Sequence, residues 1–202
     1  DPAEIARNDV WRRHADRSET LLLDTGGLLA RHGVARFASR RDPEALADLV
    51  RDLGYAALGF SESDLGDPRE QVLARVRALR ARGVRTIATN LRCEPAAQAL
   101  CDALVTGASG VPMVELSGQR VALLSYIDPA ASARVGPDRM QGLRLEPLVG
   151  SMRAGVRVAR AAGATLVVAS ADTGYGASGA GSLIEAAGQL EAGSVTHLRA
   201  RE

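Results

Sequence analysis

Asp42-Pro43-Glu44-Ala45-Leu46-Ala47-Asp48-Leu49-Val50-Arg51-Asp52-Leu53-Gly54-Tyr55-Ala56-Ala57-Leu58-Gly59 carries a complete helix-then-strand signature. Asp42 can cap a helix with its carboxylate, Pro43 suits a first turn, and Gly54 stops the run. Between them Leu46, Leu49, Val50 and Leu53 form one apolar stripe at helical spacing. Tyr55 to Gly59 then reads as a short buried strand. The same grammar recurs outward. A strand is expected at Leu21-Leu22-Leu23-Asp24. After Asp67-Pro68 a helix carries Val72, Leu73, Val76 and Leu79 inward as far as Gly83, and Val84 to Thr89 follows as a strand. Another helix opens at Glu146-Pro147, passes Met152 and Val156, and ends near Gly163, before a strand at Thr165 to Ser170. Alternating strands and helices predict an α/β fold with a mostly parallel sheet and flanking helices. One section departs from this: Met113 to Leu116, Ser117-Gly118, and Gln119 to Leu124 read as a β-hairpin, so the sheet is expected to be mixed.

The chain has 202 residues, 46% hydrophobic and 24% charged, enough for one substantial core, and residues 1–202 are expected to form a single domain. Its 25 basic residues, all arginine, nearly cancel 24 acidic ones and are interspersed with them, which argues against a nucleic-acid partner. The absence of lysine excludes P-loop and Schiff-base chemistry. The glycine-rich run Gly174 to Gly181 has neither the Walker nor the dinucleotide spacing and reads as a loop. No apolar run approaches the roughly 20 residues of a membrane span, so no transmembrane segment is expected. Cys93 and Cys101 are too few for a zinc site. Two unpaired, partly buried thiols are the expectation, although their spacing permits a disulfide if the backbone bends. A redox role would lack the Cys-x-x-Cys pattern and would have only Arg92 to lower a thiol pKa.

In open α/β sheets, ligands bind beyond the carboxyl ends of the strands. Here those ends are Asp24-Thr25-Gly26-Gly27, Gly59-Phe60-Ser61-Glu62-Ser63-Asp64, Thr89-Asn90 and Ser170-Ala171-Asp172-Thr173-Gly174-Tyr175. These segments resemble, in order and spacing, the 5′-nucleotidase-type metallophosphoesterases, also called calcineurin-like phosphoesterases. Leu21 to Gly27 is similar to that family's strand leading into Asp-Ala-Gly-Asp. Gly59 to Asp64 is similar to Gly-Asn-His-Glu-Phe-Asp, Thr89-Asn90-Leu91 to Ala-Asn-Leu, and Val167 to Tyr175 to a strand ending Ser-His-Leu-Gly-Tyr. The resemblance spans about residues 20 to 185. It implies an incomplete four-layer α/β/β/α domain, a periplasmic or otherwise extracytoplasmic location, and phosphoester hydrolysis on two divalent ions.

The departures fall on the ligands. The family's bridging aspartate falls on Gly27, its Asn-His pair on Phe60 and Ser61, and its third-strand histidine on Asp172. Its opening Asp-x-His would precede residue 1 and its closing Gly-His-x-His would follow Gly188, and neither is found. His14, His32 and His197 lie off the motif positions and read as surface residues. A dinuclear centre needs a bridging carboxylate and imidazoles to hold its ions about 3.5–4 Å apart. The expectation is therefore a pseudoenzyme: a catalytically degenerate binding or scaffold module with no cofactor, open to a protein partner, an additional domain or a small phosphorylated ligand. The candidate pocket is Asp24, Gly27, Phe60, Ser61, Glu62, Asp64, Asn90, Asp172 and Thr173. Two alternatives stand beside this reading. Asp24, Ser61, Glu62, Asp172 and Thr173 could hold a single Mg or Ca ion through oxygen ligands, or the chain could be a metal-dependent phosphoester hydrolase with a remodelled or incomplete site. The carboxylates could equally cap helices and satisfy loop amides.

Overall fold

A computed structural model describes residues 20–28, 41–107 and 110–172 of the chain. The three histidines and the glycine-rich run lie outside the described residues. In chain order, β1 (Leu22–Asp24), α1 (Pro43–Asp52), β2 (Tyr55–Gly59), α2 (Glu62–Leu65), α3 (Arg69–Ala81), β3 (Arg85–Ala88) and β4 (Leu91–Cys93) come first. A 3₁₀ turn (Pro95–Ala97), α4 (Gln98–Ala103), β5 (Val105–Thr106), β6 (Met113–Leu116) and β7 (Gln119–Ile127) follow. The described part closes with α5 (Ala131–Val135), α6 (Pro137–Met140), β8 (Leu143–Leu145), α7 (Leu148–Ala161) and β9 (Leu166–Asp172).

The punctuation read from the sequence is present in the backbone. Asp42 caps α1, its carboxylate accepting the Ala45 amide at 2.9 Å, with Pro43 at the first helical position. Gly54 leaves the helix at φ 82°, a left-handed value that costs glycine nothing. The inward face differs by one position from the expected stripe. Leu46, Ala47 and Val50 are buried, whereas Leu49 is 43% exposed, because it lies about 100° around the helix from the centre of that face. Ala47, fully buried, packs instead in the cluster with Leu58 and Leu79.

Strands β1, β2, β3 and β5 form one parallel sheet in that spatial order. The hairpin partners β6 and β7 pair antiparallel, and β9 adds parallel to β7 from Val121–Leu166 to Ile127–Asp172, making a second, mixed sheet. Ser117 and Gly118, at φ 49° and 75°, supply the two positive angles that a tight hairpin turn demands. Alternation along the strands then sorts side chains into layers. Ala57, Ile87, Val121 and Leu123 meet between the two sheets. Leu58 points the other way, to the α1 and α3 residues Leu46, Val50 and Leu79. Leu124 and Tyr126 likewise face Leu148 and Met152 of α7. The result is four layers, helix, sheet, sheet, helix, as the resemblance implied.

The two sheets are tied together where β3 ends. The Thr89 amide donates to the Ser125 carbonyl at 2.7 Å, and the Ser125 amide donates to Thr89 Oγ1 at 3.0 Å. Asn90 continues the join with its side chain. Its Oδ1 accepts the Ile127 amide at 3.0 Å, and its Nδ2 donates to the Ile127 carbonyl at 2.8 Å and the Glu146 carbonyl at 3.2 Å. A small antiparallel pair, β4 with β8, follows directly. Strands β4, β5 and β8 were not expected from the sequence, since two or three residues show no periodicity.

Cys93 and Cys101 form a disulfide, which corrects the expectation of two free thiols. Eight residues of helix would separate the cysteines by about 12 Å. The chain instead turns at Glu94-Pro95 and α4 folds back, bringing the Cα atoms to 6.0 Å.

Asn90→Ala would leave the Ile127 amide and carbonyl buried without their side-chain partner. A loss of about 2–4 kcal/mol in urea-denaturation stability is expected, with the four-layer fold retained.

Candidate strand-end site

Gly59 marks the point where three strand ends meet. A Cβ placed on it would lie 2.7 Å from Ser125 Oγ and 2.7 Å from the Thr25 carbonyl carbon, so no side chain fits. Asp24 turns the chain there: its Oδ2 accepts the Gly26 amide at 2.8 Å, and Gly26 and Gly27 continue at φ 124° and 90°. Burial, then the Asp24 charge, pushes the phenol of Tyr55 above its usual range. Asp172 ends β9 in register with Ile127. Thr173 lies outside the described residues.

The Gly59 to Asp64 segment is built into the architecture. Phe60 is 1% exposed and packs in the core with Leu65, Val72, Leu100 and Ile127. Ser61 is fully buried and caps α2. Its hydroxyl donates to Asp64 Oδ2 at 2.8 Å and accepts the Asp64 amide at 3.3 Å, while its own amide donates to Asp64 Oδ2 at 3.0 Å. This reciprocal capping box satisfies amides that a helix start leaves unpaired. Glu62 is held outward by Arg134 of α5, whose Nε donates to both carboxylate oxygens at 2.9 Å. Arg134 also reaches Asp128 at 3.0 Å, and Asp128 accepts the Ala130 amide. Both hydrogen bonds hold the Arg134 guanidinium above its ordinary pKa. Asn90 serves the join between sheets.

The structure thus brings Asp24 and Gly59 to one rim, with Gly27 three residues on from Asp24. It turns Ser61 and Asp64 into the base of α2 and Glu62 toward α5. Two buried polar neighbours of the site were missed by the sequence reading. Among the described residues Arg75 is the largest fully buried side chain; it donates to Asp67 at 2.8 Å and stands 3.8 Å from Asp64. A signal existed, since Arg75 sits on the same helical face as Val72, Val76 and Leu79. Ser125, whose buried Oγ finds no partner among the described residues, had no such signal.

Whether two divalent ions fit this rim follows from its donor atoms. Gly27 and Phe60 offer none, and the hydroxyl of Ser61 is committed to Asp64. Among the described residues, no group of three or more His, Cys, Asp or Glu side chains is arranged to hold a metal. The described side chains therefore do not fit a dinuclear centre.

Neither a protein-family model nor a curated protein sequence matches the chain. Solved structures do. The 5′-nucleotidase precursor from Thermus thermophilus superposes with a TM-score of 0.63 at 18% identity, over 82% of this chain and 30% of its own. The NAD nucleotidase of Haemophilus influenzae gives 0.61 at 10% identity, over 86% of this chain and 28% of its own. A calcineurin-like phosphoesterase from Bacillus subtilis gives 0.60 at 14% identity, over 82% and 52%. The chain carries the metallophosphoesterase fold, and it spans between about a quarter and a half of the length of these proteins.

Asp64 generates a pH test. Burial raises its pKa above the usual carboxylate value, against the opposing hydrogen bonds from Ser61 and the charge of Arg75. Folding therefore takes up a proton between the ordinary and the raised value. The stabilisation is complete below the ordinary pKa and is lost as pH rises through the raised one. Urea midpoints measured from about pH 4 to pH 7 should fall for the wild type and flatten for Asp64→Asn.

Proposed function

We propose that this chain is a non-catalytic binding module, built on a metallophosphoesterase scaffold that has given up its metal centre. One observation carries the reading. At the positions where the resemblance puts the Asn-His ligand pair, Phe60 is packed into the core and Ser61 is spent on the cap of α2. Reinstalling a metal there would require emptying a core position and breaking a buried capping box together. With no imidazole or bridging carboxylate among the described rim residues, the scaffold would forfeit nearly all of the affinity and rate that a dinuclear site supplies. No cofactor is proposed.

The module would act through its surface and rim, on a protein partner, a further domain or a small phosphorylated ligand. We place it outside the cytoplasm, in the periplasm or at the cell surface. The Cys93–Cys101 bond supports that placement, since disulfides persist in oxidising compartments. Among the described residues no helix is long and apolar enough to cross a membrane.

Two measurements test the proposal. Calorimetric titration with magnesium, calcium and manganese at millimolar concentrations should show no binding. Assays of the metal-supplemented protein with nucleoside monophosphates and a chromogenic phosphate ester should show no metal-dependent turnover. Turnover that needs metal and disappears in Asp172→Ala would overturn the reading.

A further inference from the structure

The Cys93–Cys101 bond does not lie sealed inside the core. It forms part of the wall of an open cavity of about 370 Å³, together with Arg92, Gln98, Asp102 and Thr106. The two sulfurs belong to differently exposed residues: Cys93 is half-buried at the end of β4, whereas Cys101 is 8% exposed within α4. The elements they join are also held differently. Strand β4 keeps its pairing with β8, an ion pair from Arg92 to Glu146 at 2.7 Å, and the Asn90 bridge just before it. Helix α4 has six residues and no side-chain cap. Its other ties include the core packing of Leu100 and Ala103 and a hydrogen bond from Arg80 to the Asp102 carbonyl.

We propose that this disulfide is a thiol-exchange site, opened by a small-molecule thiol that enters the cavity, and that it acts as a redox latch on α4. The thiolate attacks Sγ of Cys93, the more exposed of the two residues, forming a mixed disulfide. The bond between the cysteines breaks, its electron pair goes to Cys101 Sγ, and that sulfur takes up a proton. A second thiolate attacks the mixed disulfide at the small molecule's sulfur, releasing the oxidised small-molecule disulfide and the Cys93 thiol. Two thiols are oxidised and the protein disulfide gains two electrons and two protons. Arg92, ion-paired with Glu146, lines the same cavity as the disulfide. Once the bond is open, α4 is no longer cross-linked to the end of β4, while the Asn90 join and the β4–β8 pair remain. The inference concerns other residues than Asp24, Gly27 and Gly59 and stands whether or not that rim binds metal.

The experiment uses the whole chain equilibrated in glutathione buffers of stepped redox ratio, quenched and alkylated, with modified cysteines counted by mass. Circular dichroism and hydrogen exchange are recorded on the same samples. The expected result is full reduction of the bond with the folded spectrum kept, and faster exchange confined to residues 94–104. With oxidised glutathione, Cys101→Ser should accept a glutathionyl group at Cys93 about tenfold faster than Cys93→Ser accepts one at Cys101. A bond that resists glutathione until the chain unfolds, or exchange that rises across both sheets on reduction, would overturn the proposal. So would equal rates in the two variants. If a serine variant fails to fold, the wild-type titration decides alone.

Discussion

The structure hangs on a short polar join between two sheets that share no other described strand pairing. Thr89 and Asn90 leave β3 and spend backbone and side-chain hydrogen bonds on Ser125 and Ile127 of β7. Two apolar sheet faces can slide over one another with little change in buried area, since the hydrophobic effect has no direction. Hydrogen bonds do have direction, and in a buried place they are costly to leave unmade. The join therefore fixes the offset of the sheets. The offset in turn decides that Gly59, Thr25 and Ser125 come within touching distance at one rim. The same Asn90 reaches the Glu146 carbonyl, just before Pro147 and the start of α7. One side chain thus registers both sheets and the helix that covers the second.

The second constraint is the buried charge beside α2. Two carboxylates, Asp64 and Asp67, share the single guanidinium of Arg75, all three nearly inaccessible to water. Taking such groups from water costs several kcal/mol per ion, and the arrangement holds only while each partner is kept. The capping box supplies the remaining hydrogen bonds to Asp64. This network commits Ser61 and Asp64 to one another and sets Asp64 beside Arg75. The polar atoms that look, in sequence, like a set of ligands are here the means by which a charged cluster survives inside the protein. Glu62 escapes that burial because it is the residue turned outward, and Arg134 then ties it to the loop after β7.

Much of the fold was legible in the sequence, because its larger elements are specified locally. Asp42 with Pro43, Gly54, the Ser117-Gly118 turn and the alternating strands each carry their own signal, and each is found at its expected place. The candidate site was legible only in outline. Its residues could be placed at strand ends, but whether a serine binds a ligand or caps a helix depends on the angle at which the next helix leaves. Similarly, Cys93 and Cys101 are distant along a regular helix, and only the reversal at Glu94-Pro95 unites them.

The sequence by itself determined the alternation of strand and helix, the boundaries of the main elements and the residue types available at the rim. Those follow from dihedral preferences and hydrophobic period, which act over a few neighbouring residues. Only the tertiary structure decided which carboxylates were committed and which cysteines were bonded. It also decided that Leu49 faces water and that Arg75 does not. The reason is that solvation and partnership belong to positions in space, and the residues that settle them come from segments far apart in the chain.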